Sequence, residues 1–116
     1  MKNCNLVIVS GIVVKEPQIV EGAYGPMANL SIEITETKRG KDGLQNETCR
    51  IQLSIMGSTA YKVKNMRLGL KHEVMAKGKL KLEQWKDKTT GQARFMHKIV
   101  VDDIWDVSGR LDLNDE

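Results

Sequence analysis

Aromatic residues are scarce in this chain of 116 residues: two Trp, two Tyr and a single Phe. With so few, the placement of each one is informative. Cysteine is scarcer still. Cys4 and Cys49 lie far apart and form no CxxC pair, which argues against a zinc site and against a disulfide framework. A reducing, cytoplasmic setting follows as the default, and Cys49 is expected to be a buried core residue. No apolar run approaches the ~20 residues that span a bilayer. The segment from Leu6 to Val14 is broken by Ser10 and Gly11 and has no small-residue cleavage site, so it reads as a first strand and not as a signal peptide. No membrane partner is expected. His72 and His97 are isolated, and no Ser/His/Asp or Cys/His grouping, glycine-rich phosphate loop or metal-ligand spacing is visible. An enzyme is not expected, nor is any cofactor or metal.

What the chain has is charge, unevenly spread. The net charge of +3 hides a split: residues 1–101 hold 17 Lys and Arg against 9 Asp and Glu, whereas residues 102–116 hold only Arg110 against six acids. A basic body suits a polyanionic partner, because each neutralised phosphate releases condensed counterions. A solvated lysine-rich surface is the plainer alternative. Hydrophobic residues at 41% and charged residues at 28% are a globular balance, and the length suits one domain with one core.

The strand pattern is legible. Leu6, Ile8, Ile12 and Val14 suggest a long first strand bending at Gly11, then ended or re-aimed by Lys15-Glu16-Pro17. Residues 21–26 read as loop. Residues 28–35 alternate cleanly, with Leu30, Ile32 and Ile34 facing the core. A basic turn over Lys38-Arg39-Gly40-Lys41-Asp42-Gly43 leads into a strand from Glu47 to Met56, with Cys49, Ile51, Leu53 and Ile55 on one face and Arg50, Gln52, Ser54 and Met56 on the other. A short helix follows, capped by Ser58 or Thr59 and stopping at Gly69. Strands at 72–85 and 93–105 complete the set, with Leu80 and Leu82 inward and Lys79 and Lys81 outward. Three strands, a short helix and two strands is the order of the OB-fold, a five-stranded, all-β Greek-key barrel known for binding oligonucleotides. Residues 1–105 form this domain, and 106–116 form a short acidic tail expected to be mobile.

The nucleic-acid signal is concentrated in Gly78 to Gln92. Trp85 stands just before Lys86 and Lys88 on the strand carrying Lys79 and Lys81, which sets a stacking surface beside phosphate-seeking charge. A rim tryptophan packed on its neighbours is the alternative. Lys38, Arg39 and Lys41 are either a solvated run or a clamp across the barrel. Arg50 points where nucleic acid would lie. Arg94 and Phe95 follow the Trp85 turn, and Phe95 faces either the binding surface or the core. Trp105 reads as a core or interface residue, and Tyr61 as packing.

Beyond these readings, Asn5-Leu6-Val7-Ile8-Val9-Ser10-Gly11, Glu16-Pro17, Gly25-Pro26-Met27-Ala28-Asn29-Leu30, Gly78-Lys79-Leu80-Lys81, Gln84-Trp85-Lys86-Asp87 and Ile99-Val100-Val101-Asp102 together resemble the bacterial single-stranded DNA-binding (SSB) family over roughly residues 5–105. The resemblance implies an OB-fold that binds single-stranded DNA with little sequence preference, forms a homo-oligomer, a tetramer ahead of a dimer, and acts with replication proteins in replication, recombination and repair, on the nucleoid. Trp85 matches a stacking tryptophan of the family, and Lys79 and Lys81 fall at basic strand positions. Lys38, Arg50 and Met56 depart, standing where the family commonly has two tryptophans and a phenylalanine. Arginine still stacks on a base and methionine offers a polarizable contact, so a more salt-sensitive binder is expected. A dimeric, PriB-like primosomal scaffold is the runner-up, and RNA stays open as a ligand.

Overall fold

The computed structural model describes residues 3–23 and 25–108. Tyr24 and residues 109–116, which hold most of the expected tail, lie outside the described residues. The elements are β1 (Val7–Gly22), β2 (Gly25–Gly40), β3 (Gly43–Met56), α1 (Ser58–Met66), β4 (Glu73–Lys86) and β5 (Ala93–Asp106). The strands close into a barrel in the order β1-β2-β3-β5-β4, antiparallel except for the β3–β5 pair. This is the expected five-stranded Greek-key barrel with its helix between the third and fourth strands.

Closure depends on β1, which pairs with β4 over Val7–Ile12 and with β2 from Ile12 onward. The strand must change partners in mid-course, and Gly11 sits at the change. A Cβ there would meet the Glu33 carbonyl oxygen at 2.6 Å, so the two backbones approach closely only because Gly11 has no side chain. Pro17, which has no N–H to offer a ladder, falls in a register shift between Lys15 and Gln18. The strand is therefore re-aimed and not ended, and it continues to Gly22 through part of the expected loop.

The core is aliphatic. Val13, Ala28, Leu30, Ile32, Leu53, Ile55, Val74, Ala76, Ile99, Val101 and Ile104 fill the barrel, and Ala60 and Val63 of α1, with Leu68, pack against them. Each fully buried Leu or Ile contributes about 1.5–3 kcal/mol relative to exposure. The helix begins without a side-chain cap: Gly57 is its N-cap, and neither Ser58 nor Thr59 serves. It ends at Met66, before Gly69, because Arg67 already takes the left-handed conformation at φ 52°. Among the described residues no helix is long and apolar enough to cross a membrane.

β3 and β5 pair only over Gln52–Ile55 and Lys98–Val101. Beyond those residues the β2–β3 and β4–β5 hairpins run out of the barrel as two-stranded arms. This corrects several expectations. Leu80 and Leu82 share the side of Val74 and Ala76 but lie in or next to an arm, and they are 45% and 42% exposed. Cys49 shares the side of Leu53 and Ile55, yet it too lies on an arm and is exposed. Ser54 shows the reverse: it is outward by register but buried, covered where β2, β3 and β5 meet. Trp105 is 39% exposed on the barrel's outside, with the Lys62 ammonium 5.6 Å from its ring centre, and Tyr61 is also exposed.

Candidate nucleic-acid interface

One outward surface runs across β2, β3, β5 and β4. Its cross-strand rows are Glu33 beside Arg50, Ser31 beside Gln52, Gln52 beside Lys98, Lys98 beside Lys81, Val100 beside Lys79, and Arg94 beside Trp85. The register thus brings together Lys79, Lys81, Arg94 and Trp85 from the expected set, with Arg50 on the same surface. Trp85 is 46% exposed, so its ring is half available to a ligand.

Charges on this surface are partly paired. The Arg50 guanidinium donates to Glu33 at 2.8 Å, Lys98 reaches Glu83 at 2.9 Å, and Arg94 lies 3.5 Å from Asp87. The bond from Lys98, followed by its positive charge and that of Lys81, holds the Glu83 carboxyl below its usual value. Lys79 and Lys81 have no carboxylate within 4 Å among the described residues. Lys81 and Lys98 stand directly opposite one another, a like-charge pair that is unfavourable across a ladder and that Glu83 offsets. An incoming phosphate would do the same.

The tip of the β4–β5 arm is held by Asp87. Its Oδ1 accepts from the Thr89 N–H at 2.8 Å, its backbone N–H donates to the Gln92 carbonyl at 2.9 Å, and its carbonyl accepts from the Gly91 N–H at 2.8 Å. This fixes Lys88 at the tip and sets Trp85 one row behind. Lys86 and Phe95 belong by register to the other side of the arm, away from Trp85. Phe95 is 69% exposed and faces neither the core nor the Trp85 surface.

The remaining expected residues are spread out. Lys38 is on the inner side of the β2–β3 arm, bonded to Glu47 at 2.9 Å, while Arg39 is on the outer side and Lys41 is in the turn. Met56 is exposed beside Met27 at the far end of β3, on the order of 25 Å along the strands from the Trp85 row. Sequence reading missed Lys98 and Lys15. Lys98 shares its side of β5 with Met96 and Val100, opposite Ile99 and Val101, an alternation that is present in the sequence. Lys15, with Val14, Ser31, Arg50, Ile51, Gln52 and Met96, lines a cleft of about 350 Å³ whose edges come from four strands, which no local pattern reveals.

A family model described as the single-strand binding protein family matches residues 4–106. The chain belongs to that family. Single-strand binding proteins are DNA-binding proteins and not enzymes, in line with the sequence reading. Solved structures share the fold. The chain is similar to a small single-stranded DNA-binding protein from Streptomyces coelicolor, at 19% identity and a TM-score of 0.74, covering 90% of this chain and 95% of that one. It is similar to Plasmodium falciparum SSB in complex with ssDNA, at 19% identity and a TM-score of 0.78, over 90% of this chain and 94% of that one. A deletion mutant of the Thermus aquaticus single-stranded DNA-binding protein matches at 16% identity and a TM-score of 0.78, over 92% of this chain and 52% of that one.

Proposed function

We propose that the outward surface of β2, β3, β5 and β4 binds single-stranded DNA with little sequence preference, protecting it during replication, recombination or repair. The observation that carries this is the row of Lys79 and Lys81, free of carboxylates among the described residues, leading along one surface to the half-exposed Trp85. Cations take the backbone and the indole takes a base face, a combination that tolerates any sequence because every base has a π-face. Family membership and the ssDNA-bound Plasmodium neighbour support the choice of ligand.

Self-association is part of the proposal. Leu6, Ile8 and Ile12 of the β1 region are exposed on the outside of the barrel, and by register Met75 and Trp105 extend the patch. A patch of this kind on a barrel wall suits a second copy. Light scattering separates the expected tetramer from a dimer, the state the primosomal alternative requires.

Titration with oligo-dT, followed by tryptophan fluorescence, tests the function. Quenching should appear at low salt and fade as salt rises. Trp85→Ala should remove most of the quenching and weaken binding by roughly 1–3 kcal/mol for each base stacked. Trp105→Ala should keep the DNA response. Absence of quenching and of retention at low salt in the unaltered protein defeats the reading.

A further inference from the structure

The β4–β5 arm has two sides, and Trp85 uses only one. On the other, Leu82 stands opposite His97, Gln84 opposite Phe95, and Lys86 opposite Ala93. In the barrel this side is core; on the arm no third strand covers it. Phe95 is the most exposed aromatic among the described residues, at 69%.

A single open phenylalanine is ordinary, but its surroundings are not neutral. Glu83 belongs by register to the Trp85 side, so these six positions carry no carboxylate. Lys86, and Lys88 at the tip, have no carboxylate within 4 Å among the described residues. The side therefore offers a ring, an amide, an imidazole and unneutralised ammonium groups, which are the groups that stack on a base, bond its edge and meet a phosphate. A second copy is a poorer occupant. Leu80, Leu82 and Phe95 are the large apolar side chains exposed here, far short of the ~800 Å² per partner that a stable interface buries.

We infer that single-stranded DNA turns over the tip of the β4–β5 arm and stacks a second base on Phe95, on the opposite side from Trp85. The arm is one sheet thick, so a strand leaving Trp85 passes Lys88 and reaches Phe95 without crossing the barrel. The inference rests on the function proposed above and lengthens its footprint: short oligomers engage Trp85 alone, and longer ones engage both sides.

An oligo-dT length series with the unaltered protein, Phe95→Ala and Phe95→Tyr tests it. Phe95→Ala should weaken binding of long oligomers by roughly fivefold to 150-fold, the effect of losing one stacked base. It should leave unchanged the shortest oligomers that still quench Trp85. Phe95→Tyr should restore long-oligomer binding. In a Trp85→Ala background, Phe95→Trp should report quenching by DNA at its own position. Equal affinity of Phe95→Ala at every length, or equal loss at every length, overturns the inference. So does a drop in assembly mass with DNA affinity per protomer unchanged, which would seat a second copy there. If the unaltered protein binds no oligomer, the parent reading falls and this one with it.

Discussion

Replacing Glu83 by glutamine should tighten binding to single-stranded DNA and steepen its salt dependence. Along the path from Arg50 to the tip of the β4–β5 arm, Lys98, Arg50 and Arg94 each face a carboxylate, as does Lys38 beyond it, whereas Lys79, Lys81, Lys86 and Lys88 face none within 4 Å among the described residues. Lys15, Arg39 and Lys41, on β1 and the β2–β3 arm, lie off that path. A cation already paired with a carboxylate neutralises little of a phosphate's charge, so it displaces few of the counterions condensed on the DNA. Single-strand binding changes log K by about −0.7 per neutralised phosphate for each decade of salt, so four unpaired lysines give a slope near −2.8 and a loss of about fiftyfold between 50 and 200 mM salt. If all eight cations counted equally, the slope would be about −5.6 and the loss over two-thousandfold. Glu83→Gln removes the acceptor 2.9 Å from Lys98 and leaves that ammonium opposite Lys81. One further phosphate contact should steepen the slope by about 0.7 and strengthen binding about eightfold at 50 mM and threefold at 200 mM. Oligo-dT titrations at four or five salt concentrations, read by tryptophan quenching, give both quantities. The double variant Glu83→Gln/Lys98→Gln should return to the original slope. An unaltered protein with a slope near −5.6, or a Glu83→Gln slope indistinguishable from it, would refute the reasoning.

Gly78→Ala should destabilise the fold, because the added Cβ meets the Val100 carbonyl oxygen and lies 2.9 Å from the Val101 Cα, backbone atoms that cannot swing aside. The expected loss is about 1–3 kcal/mol, read as a lower urea midpoint. Asp103 accepts from Lys62 at 2.7 Å and from the Ile104 N–H, and these bonds, the lysine's first, hold its carboxyl below the usual 3.8. A depressed carboxyl stabilises the fold fully above its unfolded value, and that contribution is lost as pH falls through the folded value. Asp103→Asn should therefore be less stable than the unaltered protein at neutral pH, and the gap between their urea midpoints should close below about pH 3.8. A gap that persists undiminished at pH 2 would assign the effect to packing between α1 and β5 instead.

The element order and the core strands were legible because alternation with a period of two reports which face of a strand is covered. Leu30, Ile32, Leu53 and Ile55 followed that rule. Strand length was not legible, since Lys15-Glu16-Pro17 looks like an end until a partner strand shows that the ladder resumes at Gln18. The same limit explains Cys49, Leu80 and Leu82. Alternation names a side, but it carries no information on whether a third strand lies over that side, and β3 and β5 run together for only four residues each. The candidate site divided in the same way. Lys79, Lys81 and Trp85 share a side because they are odd-numbered positions on one strand, a fact visible in the sequence. Their relation to Lys98, and the separation of Phe95 and Met56 from Trp85, depend on register between strands distant in sequence.

The arms also explain how a chain with few aromatics can still present a nucleic-acid surface. Inside a closed barrel each strand has one side toward solvent, so every side chain given to a ligand costs nothing from the core but none can be added inward. Past the barrel's mouth, both sides of a hairpin face solvent. Positions that the pattern reserves for the core, Leu80, Leu82 and Phe95 among them, become surface there. Trp85 on one side and Phe95 on the other are therefore two separate rings on one ribbon, with Lys86 and Lys88 at the end that joins the two sides. Among the described residues those two lysines, like Lys79 and Lys81, have no carboxylate within 4 Å, whereas Lys38 and Arg50 are both in salt bridges. Lys38 and Arg50 thus add little free charge to the surface. The salt sensitivity of binding should accordingly be carried by the β4–β5 arm, and a Lys79→Gln/Lys81→Gln variant should flatten the slope by about 1.4 where Lys38→Gln/Arg50→Gln changes it far less.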